Sequence, residues 1–249
     1  MVSYQERTDT MQDTKLNSIS VFFPCYNDEG TIGSTVIKSF DVLRQISDDY
    51  EVIVVDDGSK DNSIKVLEEL GRQYKYLKVV RHFTNMGYGA ALRDGFINCT
   101  KDFIFYTDGD GQYDVYELRQ LVQYMREGVD IVNGYKIKRS DPMHRKIIGR
   151  LYHNAMRFIF RIGIRDVDCD FRLMRRSIFD KVKLESSDGG ICVELVKKCQ
   201  NAGLRFVEVP VHHYHRLSCT SQFFKPSRIY RSLKSIAKLR HILNNGGSQ

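Results

Sequence analysis

Two hydrophobic rhythms alternate along this chain. Four short apolar runs, Ile19–Tyr26 (ISVFFPCY), Glu51–Val55 (EVIVV), Leu77–Val80 and Phe103–Tyr106 (FIFY), have the length of strands. Between them lie segments with apolar residues at helical spacing. Thr31–Ile46 sets Ile32, Val36, Phe40 and Leu43 on one face, and Ser63–Tyr74 does the same with Ile64, Leu67 and Leu70. Gly89–Cys99 and Val115–Arg126 are read as further helices, and Asp130–Asn133 as a short strand. An unbroken apolar strand needs cover on both faces, which helices crossing between parallel strands provide. The expectation is an α/β chain, βαβαβαβαβ, with a mostly parallel sheet and helices on both faces. It continues less regularly: a helix at about 145–162, a strand at 171–174, a helix at 190–201 and a strand at 204–211. No internal repeat is visible.

With 249 residues, 42% of them hydrophobic, the chain is able to bury a sizeable core, which excludes wholesale disorder. Four Pro and 18 Gly exclude collagen and low-complexity linkers. The expected division is a polar N-terminal extension over 1–17, a single domain over 18–222 and a basic amphipathic segment over 223–249. No apolar run approaches the roughly 18 residues of a membrane span. The first residues lack the apolar core of a signal peptide. Six Cys with no CxxC pair point to free thiols in a reducing compartment, hence the cytoplasm.

The net charge of +7 sits in one place. After Glu208 there is no acidic residue, and seven cations follow: Arg216, Lys225, Arg228, Arg231, Lys234, Lys238 and Arg240. Such a tail fits phosphates, anionic lipid or nucleic acid; the plainer reading is solvated charge.

In open α/β sheets, sites form at the carboxyl ends of strands. The four strand ends carry Pro24-Cys25-Tyr26-Asn27-Asp28-Glu29, Asp56-Asp57-Gly58-Ser59, Asn85-Met86-Gly87-Tyr88-Gly89-Ala90 and Asp108-Gly109-Asp110-Gly111-Gln112. Any one of these is also ordinary turn chemistry. Asp108 and Asp110 are alternate residues of an extended end, so both carboxylates can reach one hard cation, with Gln112 as a neutral oxygen ligand. Mg²⁺ or Mn²⁺ suits such ligands together with substrate phosphates; a solvated turn gives the same letters. Other chemistries are missing. There is no GxxxxGK[ST] P-loop, no GxSxG and no HExxH, and Gly87-Tyr88-Gly89 does not extend to GxGxxG because residue 92 is Leu.

PCYNDEG, VVDDGSKDNS, NMGYGAALRDG and YTDGDGQYD, in this order and spacing, resemble the inverting family 2 glycosyltransferases of GT-A (Rossmann-like) fold. The nearer likeness is to the dolichol- and polyprenyl-phosphate glycosyltransferases. Two later segments add to it: Asp166-Val167-Asp168-Cys169-Asp170-Phe171-Arg172-Leu173, and Val209-Pro210-Val211-His212-His213-Tyr214 followed by Arg216 and Ser221-Gln222-Phe223-Phe224. The resemblance covers about 18–230. It implies a GDP- or UDP-sugar donor bordered by Pro24, Tyr26, Asn27 and Glu29, with Asp56 or Asp57 accepting hydrogen bonds from base or ribose. Gly87 and Gly89 would admit the donor to the backbone at a helix start. Asp108, Asp110 and Gln112 would hold Mg²⁺ or Mn²⁺ on the diphosphate. Strand-end packing is the alternative for Pro24 and Tyr26.

On the acceptor side the resemblance assigns phosphate contacts to Lys136, Arg139 and Arg145, where the prenyl-phosphate branch usually has Arg in place of Lys136. Arg157 and Arg161 read equally as a solvated face. Arg216 opens what resembles an Arg-x-x-Gly-x-Ser loop, with Cys219 at the Gly position and Ser221 matching. The acceptor is either a polyprenyl phosphate, which needs no general base, or a glycan hydroxyl, which needs one. Asp168 and Asp170 are the base candidates for the hydroxyl. His212, His213 and His215 do not make a zinc site, since only 213 and 215 would share a strand face and no fourth ligand is apparent. The segment 223–243 carries an apolar stripe of Ile229, Leu233, Ile236, Leu239 and Leu243, as a helix lying on an anionic membrane would. Many relatives continue into transmembrane helices. None is readable here, so the expectation is a peripheral enzyme on the cytoplasmic face of a membrane, or one that binds a membrane protein or a second copy. A nucleic-acid module leaves the DxD unexplained, and no nucleic-acid partner is expected. A non-catalytic binding protein is the remaining alternative.

Overall fold

Seven strands form one sheet in the computed structural model, which describes residues 15–137, 151, 154–215 and 240. In chain order the elements are β1 (Leu16–Cys25), α1 (Ile32–Ile46), β2 (Ser47–Asp56), α2 (Ser63–Gln73), β3 (Leu77–Arg81), α3 (Tyr88–Asn98) and β4 (Phe103–Thr107). A 3-10 turn (Val115–Glu117), α4 (Leu118–Tyr124), β5 (Ile131–Ile137), a helix over 154–160 (α5) and β6 (Phe171–Arg175) follow. A second 3-10 turn (Arg176–Asp180), α6 (Ile191–Asn201) and β7 (Phe206–His212) complete the described chain.

The strand order is β3-β2-β1-β4-β6-β5-β7. The pairs β1–β2, β2–β3, β1–β4 and β5–β7 are parallel, and β6 runs antiparallel to both β4 and β5. The mostly parallel α/β expectation therefore holds, with one reversed strand inside it. The continuous apolar character of β1 follows from cover on both faces. Ile19, Val21, Phe23 and Cys25 pack with Val36, Phe40 and Leu43 of α1 and Leu118 and Leu121 of α4. Phe22, pointing the other way, packs with Ala91, Leu92 and Phe96 of α3 and Leu195 of α6. A third cluster joins Met156 and Phe160 of α5 to Val193 and Val196 of α6.

Several boundaries differ from the sequence reading. β1 begins at Leu16 and β2 at Ser47 because the parallel ladder runs from Leu16↔Ser47 to Cys25↔Asp56, drawing polar residues into the strand. β5 extends to Ile137 because its whole length pairs with β7, ending at Ile137↔His212. Helix Val115–Arg126 begins as a 3-10 turn, where the Asp114 side chain accepts the Tyr116 N–H (3.2 Å), and ends at Tyr124. Of the helix expected at 145–162, residues 145–150 lie outside the described residues.

Candidate active site

From β1 the chain moves outward to β2 and β3, then returns to place β4 on the other side of β1. The reversal leaves a crevice at the carboxyl ends of β1 and β4, where such sheets bind ligands. Two backbone contacts set its floor: the Asp57 N–H donates to the Cys25 carbonyl (2.8 Å), and the Gly109 N–H to the Pro24 carbonyl (3.3 Å). Because β6 is reversed, its amino end lies at this same edge. The last β4–β6 pair is Thr107↔Phe171, so the next residues outward, Asp108 and Asp170, are neighbours.

Residues 26–29 and 59–63 are laced together. The Asn27 N–H donates to Ser59 Oγ (2.9 Å), the Lys60 N–H to Asn27 Oδ1 (2.7 Å), and the Asp28 N–H to Ser63 Oγ (3.0 Å). Glu29 Oε2 accepts both the backbone N–H and the side-chain amide of Asn62, each at 2.8 Å. Asn27 sits at φ 57°, a left-handed conformation that Asn tolerates. Asn27 and Glu29 thus brace these two loops, and Pro24 is buried in the strand. Asp56 is fully buried, with its carboxylate facing the Ser59 N–H at 3.3 and 3.4 Å.

Asp57 fixes the next loop. Its Oδ1 accepts the Met86 N–H (2.7 Å) and its Oδ2 the Gly87 N–H (2.9 Å). Gly87 has φ 100°, and a Cβ there would lie 2.6 Å from the Ser187 carbonyl oxygen. A Cβ at Gly89 would meet the Asp188 nitrogen, also at 2.6 Å. The backbone that these glycines admit is therefore that of residues 186–188 of the same chain. That segment is held by Glu194, fully buried on α6, which accepts the N–H groups of Glu185 (3.0 Å) and Ser186 (2.8 Å) and pairs with Lys198 Nζ (2.8 Å). Burial alone would raise the Glu194 carboxyl, but the Lys198 and Ser186 bonds outweigh it and hold it below its usual range.

Asp108 Oδ1 accepts the Tyr88 hydroxyl at 2.8 Å. Asp110 is 6% exposed and its Oδ1 accepts the Gln112 N–H (3.0 Å). Gln112 is paired with the chain beyond β7: the Tyr214 N–H donates to its carbonyl (2.8 Å), and its side-chain amide donates to the Tyr214 carbonyl (3.2 Å). Thr31 Oγ1 holds the Gly109 carbonyl at 2.9 Å. The donor set is two oriented carboxylates and an amide, all oxygen, which fits a hard divalent cation. Among the described residues no group of three or more His, Cys, Asp or Glu is disposed to enclose a metal ion. A cation here would then complete its shell from ligand oxygens, as Mg²⁺ does on diphosphates.

Behind Asp170 lies a buried polar network that the sequence reading missed. Asp170 Oδ1 accepts the Tyr106 hydroxyl (3.3 Å) and the Cys192 thiol (3.1 Å). Arg172, fully buried, donates to the Tyr106 hydroxyl (2.6 Å), to Asn133 Oδ1 (2.5 Å) and to the Val167 carbonyl. Tyr106 ends an apolar run, and nothing in its spacing marks it as polar machinery. Tyr88 lies inside the Asn85–Ala90 cluster, where a tyrosine between two glycines carries no signal that its hydroxyl reaches Asp108. The Lys136 N–H donates to Asp166 Oδ2 (3.1 Å) and its Nζ to the Asp168 carbonyl (2.5 Å), with Asp166 Oδ1 at 3.5 Å. Its ammonium, 6% exposed, braces the Asp166–Asp170 turn. Burial pushes the Asp168 carboxyl up to about 6, opposed by Lys136.

Arg139, Arg145 and Arg216 lie outside the described residues, as does almost all of the 223–249 segment. The shared strand face expected for His213 and His215 is corrected: β7 ends at His212, because the next residues turn to meet Gln112. His212 uses its N–H and Nδ1 on Glu117, at 3.0 and 2.9 Å to the nearer oxygens. Five cysteines, Cys25, Cys99, Cys169, Cys192 and Cys199, are buried free thiols.

Comparisons with known proteins agree with this geometry. An undecaprenyl-phosphate 4-deoxy-4-formamido-L-arabinose transferase of Proteus mirabilis (strain HI4320) is 29% identical over 204 residues, 81% of this chain and 61% of the relative. The protein of the same name from Pseudomonas fluorescens (strain SBW25) is 30% identical over 172 residues, 68% of this chain and 50% of that one. The chain thus spans between half and two-thirds of these relatives. Among solved structures, glucosyl-3-phosphoglycerate synthase from Mycobacterium tuberculosis in complex with UDP superposes with a TM-score of 0.69 at 16% identity, over 90% of this chain and 80% of that one. The same enzyme with Mn²⁺, UDP and glucosyl-3-phosphoglycerate gives 0.64 at 18% identity, over 91% and 77%. At this identity the likeness is one of fold, and it bears out the GT-A expectation. The sequence model that matches, over residues 20–183, is that of glycosyl transferase family 2, and with most of the sheet and the whole DxD turn inside that match, the chain belongs to this family.

Proposed function

We propose that this protein transfers a sugar from a nucleoside-diphosphate sugar to a polyprenyl phosphate, with inversion at the anomeric carbon. The observation that carries the reading is the oriented Asp108–Asp110 pair at the β1/β4 crevice, with Asp170 and the two laced donor loops on the same edge. The undecaprenyl-phosphate transferases among its relatives support the acceptor class, and the fold neighbours bound to UDP with Mn²⁺ or Mg²⁺ support the donor and the ion.

The residues divide as follows. Pro24, Tyr26, Asn27, Glu29, Asp56, Asp57, Gly87 and Gly89 form and brace the donor loops. Asp108, Asp110 and Gln112 would hold Mg²⁺ or Mn²⁺, which would neutralise charge on the leaving diphosphate. Tyr88 orients Asp108 by its hydroxyl. Arg139, Arg145 and Arg216 grip donor and acceptor phosphates, and Lys136 supports the turn beside them. The acceptor's phosphate oxygen forms the new bond to the anomeric carbon as the bond to the nucleoside diphosphate breaks. That oxygen is already ionised at neutral pH, so the protein's part is positioning and charge stabilisation. The acceptor places the protein at the cytoplasmic face of a membrane, with the basic 223–249 segment on anionic lipid. No helix among the described residues is long and apolar enough to cross a membrane.

A hydroxyl acceptor is the second reading. It is favoured by Asp168, whose carboxyl at about 6 lies in the range of a general base near neutral pH. Acceptor-dependent turnover of three variants separates the readings. With a prenyl phosphate, Arg145→Ala lowers turnover more than Asp170→Asn and leaves donor binding largely intact. Abolition by Asp168→Asn or by Asp170→Asn in a folded protein, with a mild Arg145→Ala, selects the hydroxyl.

A further inference from the structure

His82, the residue after β3, has no part in the chemistry described so far. Its side chain is 6% exposed and lies between two carboxylates. Nδ1 is 2.8 Å from Asp57 Oδ1 and Nε2 is 2.7 Å from Asp94 Oδ2. Its backbone N–H donates to the Asp56 carbonyl at 2.9 Å, which anchors the residue at the strand end, and the two carboxylates hold the ring. A neutral imidazole carries one N–H, and one carboxylate would then face a nitrogen lone pair at hydrogen-bond distance. Only the imidazolium donates at both contacts.

Asp57 is also the carboxylate that accepts the Met86 and Gly87 N–H groups. Gly87 opens α3, and the next residue, Tyr88, holds Asp108. A continuous path runs from Asp94 through His82, Asp57 and the Gly87 amide to Tyr88 and the candidate metal ligand. We infer that His82 is a positioning residue that works as a cation: its charge fixes Asp57, and through it the Asn85–Tyr88 loop that borders the donor. The inference rests on the donor reading of this crevice.

The charged groups facing the ring are Asp57 from the end of β2 and Asp94 from α3. Burial draws the imidazole down, but the two carboxylates outweigh it and hold the ring above its ordinary 6.5. A histidine raised in this way contributes its full stabilisation below its unfolded value and loses it as pH rises through the folded one. The loop should therefore be most ordered below pH 6.5 and loosen as pH rises through the folded midpoint of the ring.

Asp94→Asn tests this, since the Asp94 side chain is 39% exposed and outside the proposed chemistry. An amide at that position donates to Nε2, so a neutral ring can give its one proton to Asp57 and remain satisfied. The experiment is a ¹⁵N NMR titration of the His82 ring together with the Met86 and Gly87 amides. Binding of UDP and of GDP with Mn²⁺ is followed over the same pH range. In the unmodified protein the ring should be doubly protonated at pH 6, with the two amides and nucleotide affinity following its midpoint above 6.5. In Asp94→Asn the ring midpoint should fall, and the amides and affinity should no longer follow it. A neutral ring at pH 6, amides that ignore the ring, or a midpoint unmoved by Asp94→Asn would overturn the role. Absence of nucleotide binding at every pH contradicts the donor reading instead, and the ring and amide titration then decides His82 on its own.

Discussion

At the scale of single residues, the site separates into groups that face the crevice and groups that hold them. Asp108 and Asp110 are of the first kind, each oriented through one oxygen by Tyr88 and by the Gln112 amide. Asp110→Asn keeps the shape and removes half of the carboxylate pair. It should lower turnover by about a hundredfold, the weight of one lost electrostatic stabiliser, and excess chelator should do the same to the unmodified protein. Full activity in chelator would remove the metal role. Asp168 gives a stability test with a defined sign. Its carboxyl is raised from 3.8 to about 6, so folding opposes its charged form. That opposition is absent below the unfolded value and complete above about 6. Asp168→Asn should thus raise the urea midpoint at pH 7.5 and leave it unchanged at pH 3.5. The facing residues were legible in sequence, because carboxylates and glycines at strand ends announce themselves. Of the holders, Asn27, Glu29 and Asp57 were legible for the same reason, and the buried Tyr106 and Arg172 were not. Tyr106 and Arg172 sit in apolar or mixed strands, and their contact across the β4–β6 register exists only once those strands pair.

At the scale of elements, the alternation of strand and helix was readable because each β strand from β1 to β4 carries apolar residues on both faces and each crossing helix a single apolar stripe. The direction of β6 was not. Its five residues pair with β4 and three of them, Arg172–Met174, also with β5, and nothing in their spacing tells parallel from antiparallel. Direction decides the site: reversed, β6 brings the residues before it, Asp166–Asp170, to the crevice. Helix–sheet contact offers a sharp test. An added Cβ at Gly95 of α3 would stand 2.3 Å from the Phe22 ring, inside the close packing of β1 against the helix. Gly95→Ala should destabilise the protein by about 1–3 kcal/mol, the usual cost of overpacking a core, measured by denaturant unfolding. A variant as stable as its parent would show that this layer has slack.

For the whole molecule, the described chain is one sheet with its candidate site on one edge, and its excess charge lies in sequence beyond β7. If that segment meets anionic lipid, binding to vesicles should weaken as the Debye length shrinks from about 10 Å at 0.1 M salt to about 3 Å at 1 M. A chain truncated before Phe223 should then bind less. Equal binding would place the anchor elsewhere. The central claim is the transfer itself. Incubating the protein with Mn²⁺ and radiolabelled nucleotide-sugars, with and without undecaprenyl phosphate, and following label into the organic phase reads it directly. The account predicts label in a lipid-linked sugar phosphate only when undecaprenyl phosphate and the divalent ion are both present. Transfer of label to a glycan hydroxyl, with none to undecaprenyl phosphate, would contradict it.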